Sequence, residues 1–550
     1  MFDNVPQLEC PLLAKAAPVP KRLVSSLLIM LPTKSKCRRF GSYQPILLAF
    51  IILLVVRVNY VNQKQNLYGD ELSSVSLAFG NPGWGSETFE TGKIYTGKEL
   101  RETTYIDSEC PEAGLLHDLK SLYNDNDDPS HASLYYMALR CALSGIDVPD
   151  MATLVWRGCG LNILFFCVSF FVVFSFLKRA FHDSVALQTF CLLLAFANPV
   201  SISISLFVRE YAMSEMFFGI FALWFVNFPS CIKCVHSKRF ARWALSGVVV
   251  IACFVSCGYF NAVLVILAFS LIGCHCIREK NGKSLVPLFA IAIGAVILCV
   301  VMYRGFFNFI ADERTAEVSG KLKGGDLISN LKATMSGLVY VFIKRVFTVP
   351  LFCASVLCIV YLGFRKRIPG LAIKQSALWL LGITMLWIII VLWLATWKSE
   401  RFISPSVPIF LSIVYGCLYP LFRLAYKGFP WIAVAIVIVF ILNTDSVGHL
   451  EKTDSRVWRA GNERRIFLYG PNLSEINTMN QLIPYIGDDQ ECVIIEKVAD
   501  IRRFSQNTNG EIHVFGYKGC DELRSQSDFA CSYDFNTWMD DYVLKGRSVN

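Results

Sequence analysis

Gly69-Asp70-Glu71 stands a few residues after the first apolar run of membrane length, Ile46 to Val61, and opens a strongly acidic loop. A carboxylate at the mouth of a span can take a proton from an acceptor hydroxyl, and a second beside it can position that acceptor or hold a cation. Basic residues stand at the ends of later apolar runs, in Arg209-Glu210-Tyr211, Lys344-Arg345 and Glu400-Arg401-Phe402. Such groups bind phosphate oxygens through charge-assisted hydrogen bonds, although each alone also fits an interfacial anchor. His131, just ahead of Leu134-Tyr135-Tyr136, has the chemistry to orient a sugar or a phosphate oxygen, and Tyr135, Tyr136 and Tyr211 offer faces for stacking or walls for a lipid groove. Asp125-Asn126-Asp127 has the Asp-x-Asp form of a metal–diphosphate site. With no soluble nucleotide-binding domain beside it, it reads as a solvated turn, and Asp128, nearer His131, is the better site candidate. No Cys or His spacing makes a zinc site. A divalent cation on the outer carboxylates is left open.

The elements that must position these residues are membrane helices. In 550 residues, 54% are hydrophobic and 17% charged, too apolar for a soluble chain of this size. Apolar runs predict about eleven spans, near 45–61, 153–177, 184–206, 208–228, 241–257, 260–276, 284–303, 346–364, 376–397, 402–424 and 429–444. Three blocks follow: a basic tail over 1–43, a transmembrane domain over 44–444 whose outer loop covers 62–131, and a C-terminal domain over 445–550. The stretch after His131 is too short to span and reads as a helix lying at or partly entering the outer membrane surface. Runs at Cys492 to Glu496 and Ile512 to Tyr517 read as strands, and Ser474 to Ile486 as a helix, so the C-terminal part is a small α/β domain. The fold class is an all-α polytopic membrane protein carrying that small domain.

Lys and Arg gather in alternate short loops, on the side of the basic tail, while residues 62–130 hold thirteen acidic against five basic residues. The positive-inside rule therefore places that loop and the C-terminal domain outside. The net charge of +9 is largely this asymmetry, and it gives nucleic-acid binding little support. Most of the 20 cysteines lie in apolar runs, where Cys packs as a small hydrophobe. Cys110, Cys492, Cys520 and Cys531 fall in outer regions, with pairing among them open.

In order and spacing, Asp70-Glu71, His131-Ala-Ser-Leu-Tyr-Tyr136, Arg209-Glu-Tyr-Ala212 and Arg401-Phe-Ile-Ser-Pro405-Ser-Val-Pro408 resemble the GT-C superfamily of membrane glycosyltransferases. The likeness is to the branch of protein O-mannosyltransferases and the lipid A aminoarabinose transferase. There the stretches read roughly Asp-Glu, His-Pro-Pro-Leu-Tyr-Tyr, Arg-x-Tyr-Ala-Leu and Arg-Tyr-x-x-Pro-x-x-Pro. Ala132-Ser133 in place of the proline pair and Phe402 in place of Tyr make this a distant resemblance. It implies a polyprenyl-phosphate sugar as donor, transfer on the outer face of the membrane, and an acidic residue of the first outer loop as base.

The sequence thus points to an integral membrane glycosyltransferase that moves a sugar to a glycan, lipid or protein acceptor, by inversion, at a bacterial inner membrane. Asp70 is the expected base and Glu71 its companion. Asp128, His131, Tyr135, Arg209, Tyr211, Lys344, Arg345, Glu400 and Arg401 are the expected substrate contacts. A ligase or polymerase of lipid-linked glycans is the near alternative. A transporter or flippase is the distant one, and it would place charges at mid-membrane and show repeat symmetry.

Overall fold

The computed structural model describes residues 43–79, 90–105, 114–124, 134–145, 151–181, 185–232, 237–280, 282–304, 306–308, 318–320, 327–346, 373–395, 399–425 and 447–450, and in the C-terminal part 464–468, 483, 486–495, 500, 503, 512–517, 529–534 and 539–544. Two compact units divide the chain, 1–44 and 45–550, and the architecture below is that of the second.

Each expected span that falls among the described residues is helical. Six helices are long and apolar enough to cross a membrane: α1 (Gln44–Gln63), Met151–Ala180, Tyr211–Cys231, Phe260–Arg278, Leu285–Met302 and Gln375–Leu394. The bent pair Val185–Phe196 and Pro199–Leu206 adds a seventh if it is one span. Lys238–Val255 and Val407–Ala425 are helices at two further expected positions. The chain is a polytopic helical membrane protein. The spans expected near 346–364 and 429–444 lie outside the described residues, apart from Val346. Leu47, Leu48, Val55, Leu164, Val286, Phe289 and Ile297 are exposed apolar side chains on these helices, as lipid-facing surfaces require.

The bend has a local cause. In an unbroken helix the Val200 amide would reach the Phe196 carbonyl, but Pro199 cannot continue the helix that precedes it. The Val200 amide donates instead to Asn198 Oδ1 at 2.9 Å, an N-cap for Pro199–Leu206, and the two helices meet at 57°. The stranded Phe196 carbonyl accepts from Arg57 Nη2 at 3.0 Å. Arg57, fully buried in α1, also donates to Leu53 O, Ser201 Oγ and Ser205 Oγ, and lies 3.7 Å over the Phe166 ring. Ser201 Oγ in turn donates to Glu215 Oε2 at 3.0 Å. This network locks the bent helices against α1 directly beneath the loop that carries Arg209.

Outside the bundle lies a six-stranded mixed sheet, in the order β1-β3-β2-β4-β6-β5. Strands β2 (Arg464–Leu468), β3 (Glu491–Ile495) and β4 (Ile512–Tyr517) are parallel, and β5 (Phe529–Asp534) and β6 (Met539–Leu544) extend the sheet antiparallel. The two expected strands are β3 and β4. The edge strand β1 (Ile94–Thr96) comes from the first loop, more than three hundred residues away in sequence, and pairs antiparallel with β3. Gly97 ends this clasp: its amide donates to Gln490 O, and a Cβ there would fall onto the Gly487 carbonyl and the Ile486 side chain. Gly97→Val should therefore detach β1, and limited proteolysis would show earlier cleavage around residues 90–105 than in the wild type. An unchanged cleavage rate would count against the clasp. Cys492 is buried in β3 as a free thiol; Cys110 and Cys520 lie outside the described residues.

Candidate functional site

The acidic pair opens a short helix, α2 (Gly69–Ala78). Glu71 is its third residue, placed to cap the helix backward, and its Oε2 accepts from the Tyr68 amide at 2.7 Å. The same oxygen accepts from Lys64 Nζ at 2.9 Å, with both side chains fully buried. Oε1 accepts from the Val208 amide at 2.7 Å. Glu71 thus joins the end of α1, the start of α2 and the Phe207–Glu210 loop. Burial pushes its carboxyl upward, opposed by Lys64 and the two amides. Glu71→Gln would set an amide N–H₂ against donors and leave Lys64 buried without its carboxylate. We expect a loss of about 3–5 kcal/mol, read as a lower unfolding midpoint in detergent. A midpoint equal to the wild type's would remove this role.

Asp70, one residue earlier, turns the other way. Its Oδ2 accepts from Arg401 Nη1 at 2.8 Å, an ion pair across 331 residues that is about one-quarter exposed. Arg401 sits in the short turn Glu400–Phe402, between the long helices Gln375–Leu394 and Val407–Ala425. Ser399 caps that turn by accepting from the Arg401 amide. Arg209 also meets α2, donating to the Asp70 carbonyl at 3.2 Å and to Ser74 Oγ at 3.1 Å. Its Nε is 3.6 Å from Glu210. Arg345 faces Glu400 at 3.5 Å. Each cation of the cluster thus faces a carboxylate: Lys64 with Glu71, Arg209 with Glu210, Arg345 with Glu400 and Arg401 with Asp70.

Tyr211 starts the next span and stacks on Phe207, with ring centroids 5.7 Å apart. Tyr135 lies deeper. It is fully buried and its hydroxyl donates to Asn162 Oδ1, while Asn162 Nδ2 donates to the Phe207 carbonyl at 2.7 Å. Tyr135 is linked to the Phe207–Glu210 loop through Asn162. The helix that carries it, Leu134–Ala142, lies where the sequence predicted a short helix, and packs Tyr135, Tyr136 and Leu139 fully buried against its neighbours. Asp128, His131 and the Lys344 side chain lie outside what is described.

Asp70, Glu71, Arg209, Tyr211, Arg345, Glu400 and Arg401 thus fall into one cluster. Sequence reasoning missed Lys64 and His449. Lys64 is a basic residue directly after α1, seven residues before Glu71, and that spacing was the available signal. His449 follows the last predicted span with no pattern around it. Its carbonyl accepts from Lys64 Nζ at 2.8 Å and its ring lies flat on Phe207, centroids 3.8 Å apart. No group of three or more His, Cys, Asp or Glu side chains able to hold a metal ion occurs among the described residues.

No family model and no curated sequence matches the chain. Two solved structures of ArnT from Cupriavidus metallidurans are similar to it. The one described as bound to undecaprenyl phosphate shares 11% identity over 92% of this chain and 98% of that one, with a TM-score of 0.45. The apo form shares 10% identity over 90% and 97%, with a TM-score of 0.43. Values this low leave the roles of these residues to their own geometry.

Proposed function

We propose that the protein is an integral membrane glycosyltransferase, which moves one sugar from a polyprenyl-phosphate carrier to an acceptor hydroxyl on the outer side of a bacterial inner membrane. The observation that carries this reading is the Asp70–Arg401 pair at 2.8 Å, set where the chain leaves the apolar body and flanked by Arg209 and Arg345. A carboxylate and several guanidiniums at one end of a lipid-embedded bundle match a reaction that needs a base for a hydroxyl and cations for a lipid phosphate.

In the step proposed, Asp70 takes the proton of the acceptor hydroxyl. The acceptor oxygen forms its bond to the anomeric carbon on the face opposite the phosphate. The bond from that carbon to the phosphate oxygen breaks, and its electron pair leaves with the lipid phosphate. One displacement inverts the anomeric centre. A phosphate is acidic enough to depart without a general acid, so one carboxylate suffices. Arg401, Arg209 and Arg345 stabilise the charge that grows on the departing oxygens. Lys64, Glu71, Tyr135 and Asn162 position the loops that carry these groups, and Glu71 is assigned here rather than to proton transfer because its two oxygens already accept three donors.

Purified protein in proteoliposomes, offered a panel of radiolabelled polyprenyl-phosphate sugars and membrane acceptors, tests the reading. Transfer of a single inverted sugar is expected. Retained configuration removes the single displacement, and transfer only from oligosaccharide carriers makes the protein a ligase. Failure with every donor overturns the reading.

A further inference from the structure

Each described cation of the cluster faces a carboxylate, and the buried Arg401 Nε keeps a donor to spare, which suits an anion. His449 is a neutral group beside them with capacity of its own. Among the described residues its imidazole nitrogens have no hydrogen-bond partner, although the residue is firmly held. Lys64 grips its carbonyl, the preceding Gly448 amide donates to Ser203 Oγ at 2.8 Å, and the ring lies flat on Phe207 with planes 10° apart. Its φ of 61° puts the backbone in the left-handed region, which residues with a side chain seldom adopt. A turn of this kind, fixed at the carbonyl, the neighbouring amide and the ring, aims an imidazole in one direction.

The charged groups within electrostatic reach of that imidazole are Lys64, Arg401, Arg345 and Asp70, three cations against one anion. Burial first, then Lys64 and Arg401, hold the histidine far below its usual range, so the ring is neutral at physiological pH. A neutral imidazole presents one N–H and one lone pair, which is the complement of a hydroxyl. Tyr211, Phe207 and His449 also form one column of stacked rings, and the ring at its end adds an aromatic face beside Asp70 and Arg401. A planar neutral polar group with an aromatic face suits a sugar, with its hydroxyls and C–H faces. A phosphate is better served by the guanidiniums.

Resting on the donor reading above, we propose that His449 is a donor-binding residue that hydrogen-bonds a hydroxyl of the sugar carried by the polyprenyl phosphate, while the arginines take the phosphate. His449→Phe keeps a ring on Phe207 and removes both nitrogens, so it separates recognition from packing. The expected result is a three- to tenfold rise in KM for the best donor of the panel, about the worth of one neutral hydrogen bond, with kcat within twofold. Binding of that sugar-bearing lipid, followed directly in nanodiscs, should weaken by the same factor. Binding of sugar-free polyprenyl phosphate should not change.

Equal weakening for both lipids would move the contact to the phosphate and overturn the sugar assignment. No change for either lipid would make His449 a packing residue. Should His449→Phe fail to fold, His449→Gly carries the same comparison, because Gly accepts the left-handed backbone and likewise removes both nitrogens. A wild type that binds neither lipid overturns the donor reading, and the contact with it.

Discussion

Asp70→Asn should lower kcat for glycosyl transfer by about 10²- to 10⁴-fold while leaving donor affinity close to that of the wild type. The substitution is nearly isosteric and keeps an oxygen for Arg401 Nη1, so the turn that carries Arg401 has no reason to move. What is lost is the charge that accepts the proton of the acceptor. Donor binding would persist because the cations assigned to the phosphate are untouched, and Arg401 is freed from its carboxylate partner. A change confined to the transition state lowers kcat and kcat/KM together. Single-turnover transfer with saturating donor, alongside direct binding of polyprenyl phosphate, would separate this from a folding defect. Transfer at the wild-type rate would remove Asp70 as the base. A fall in donor affinity equal to the fall in turnover would make Asp70 a binding residue instead.

That prediction was reachable from sequence because Asp70 lies in a local pattern, an acidic residue immediately after a span. The helices were legible for a related reason. Lipid demands runs of apolar residues, and such runs leave few alternatives to helix. The pairing of Asp70 with Arg401 was not legible, since 331 residues separate them and no periodicity links them. Nor was the difference between the two neighbouring carboxylates. In sequence Asp70 and Glu71 look interchangeable, and the helix phase of α2 sends one to Arg401 and the other to Lys64 and the Val208 amide. The strand at Ile94–Thr96 was missed because three residues carry no alternation to detect, and its stability comes from β3. His449 was invisible because its position is set by what grips its backbone.

A large effect on stability should also come from Arg57, which the sequence shows only as one basic residue in an apolar run. A guanidinium within a span survives only if its donors are satisfied, and here two carbonyls, two serine hydroxyls and an aromatic face do so. Removing it strands the Phe196 carbonyl at the helix break and leaves Glu215, reached through Ser201, without its cation. Arg57→Met should therefore cost about 3–5 kcal/mol, seen as a lower midpoint of thermal unfolding in detergent micelles. The cost has two separable parts, and a double-mutant cycle divides them. Glu215→Gln on the Arg57→Met background removes the unpaired acid and should recover part of the loss, whereas on the wild-type background it should destabilise. Additive effects of the two substitutions would show that Arg57 and Glu215 do not act together, and would leave the Phe196 carbonyl as the whole reason for an arginine at this depth. Coupled effects would tie the charge pair to the bend at Pro199, and through Pro199–Leu206 to the loop that brings Arg209 onto Asp70.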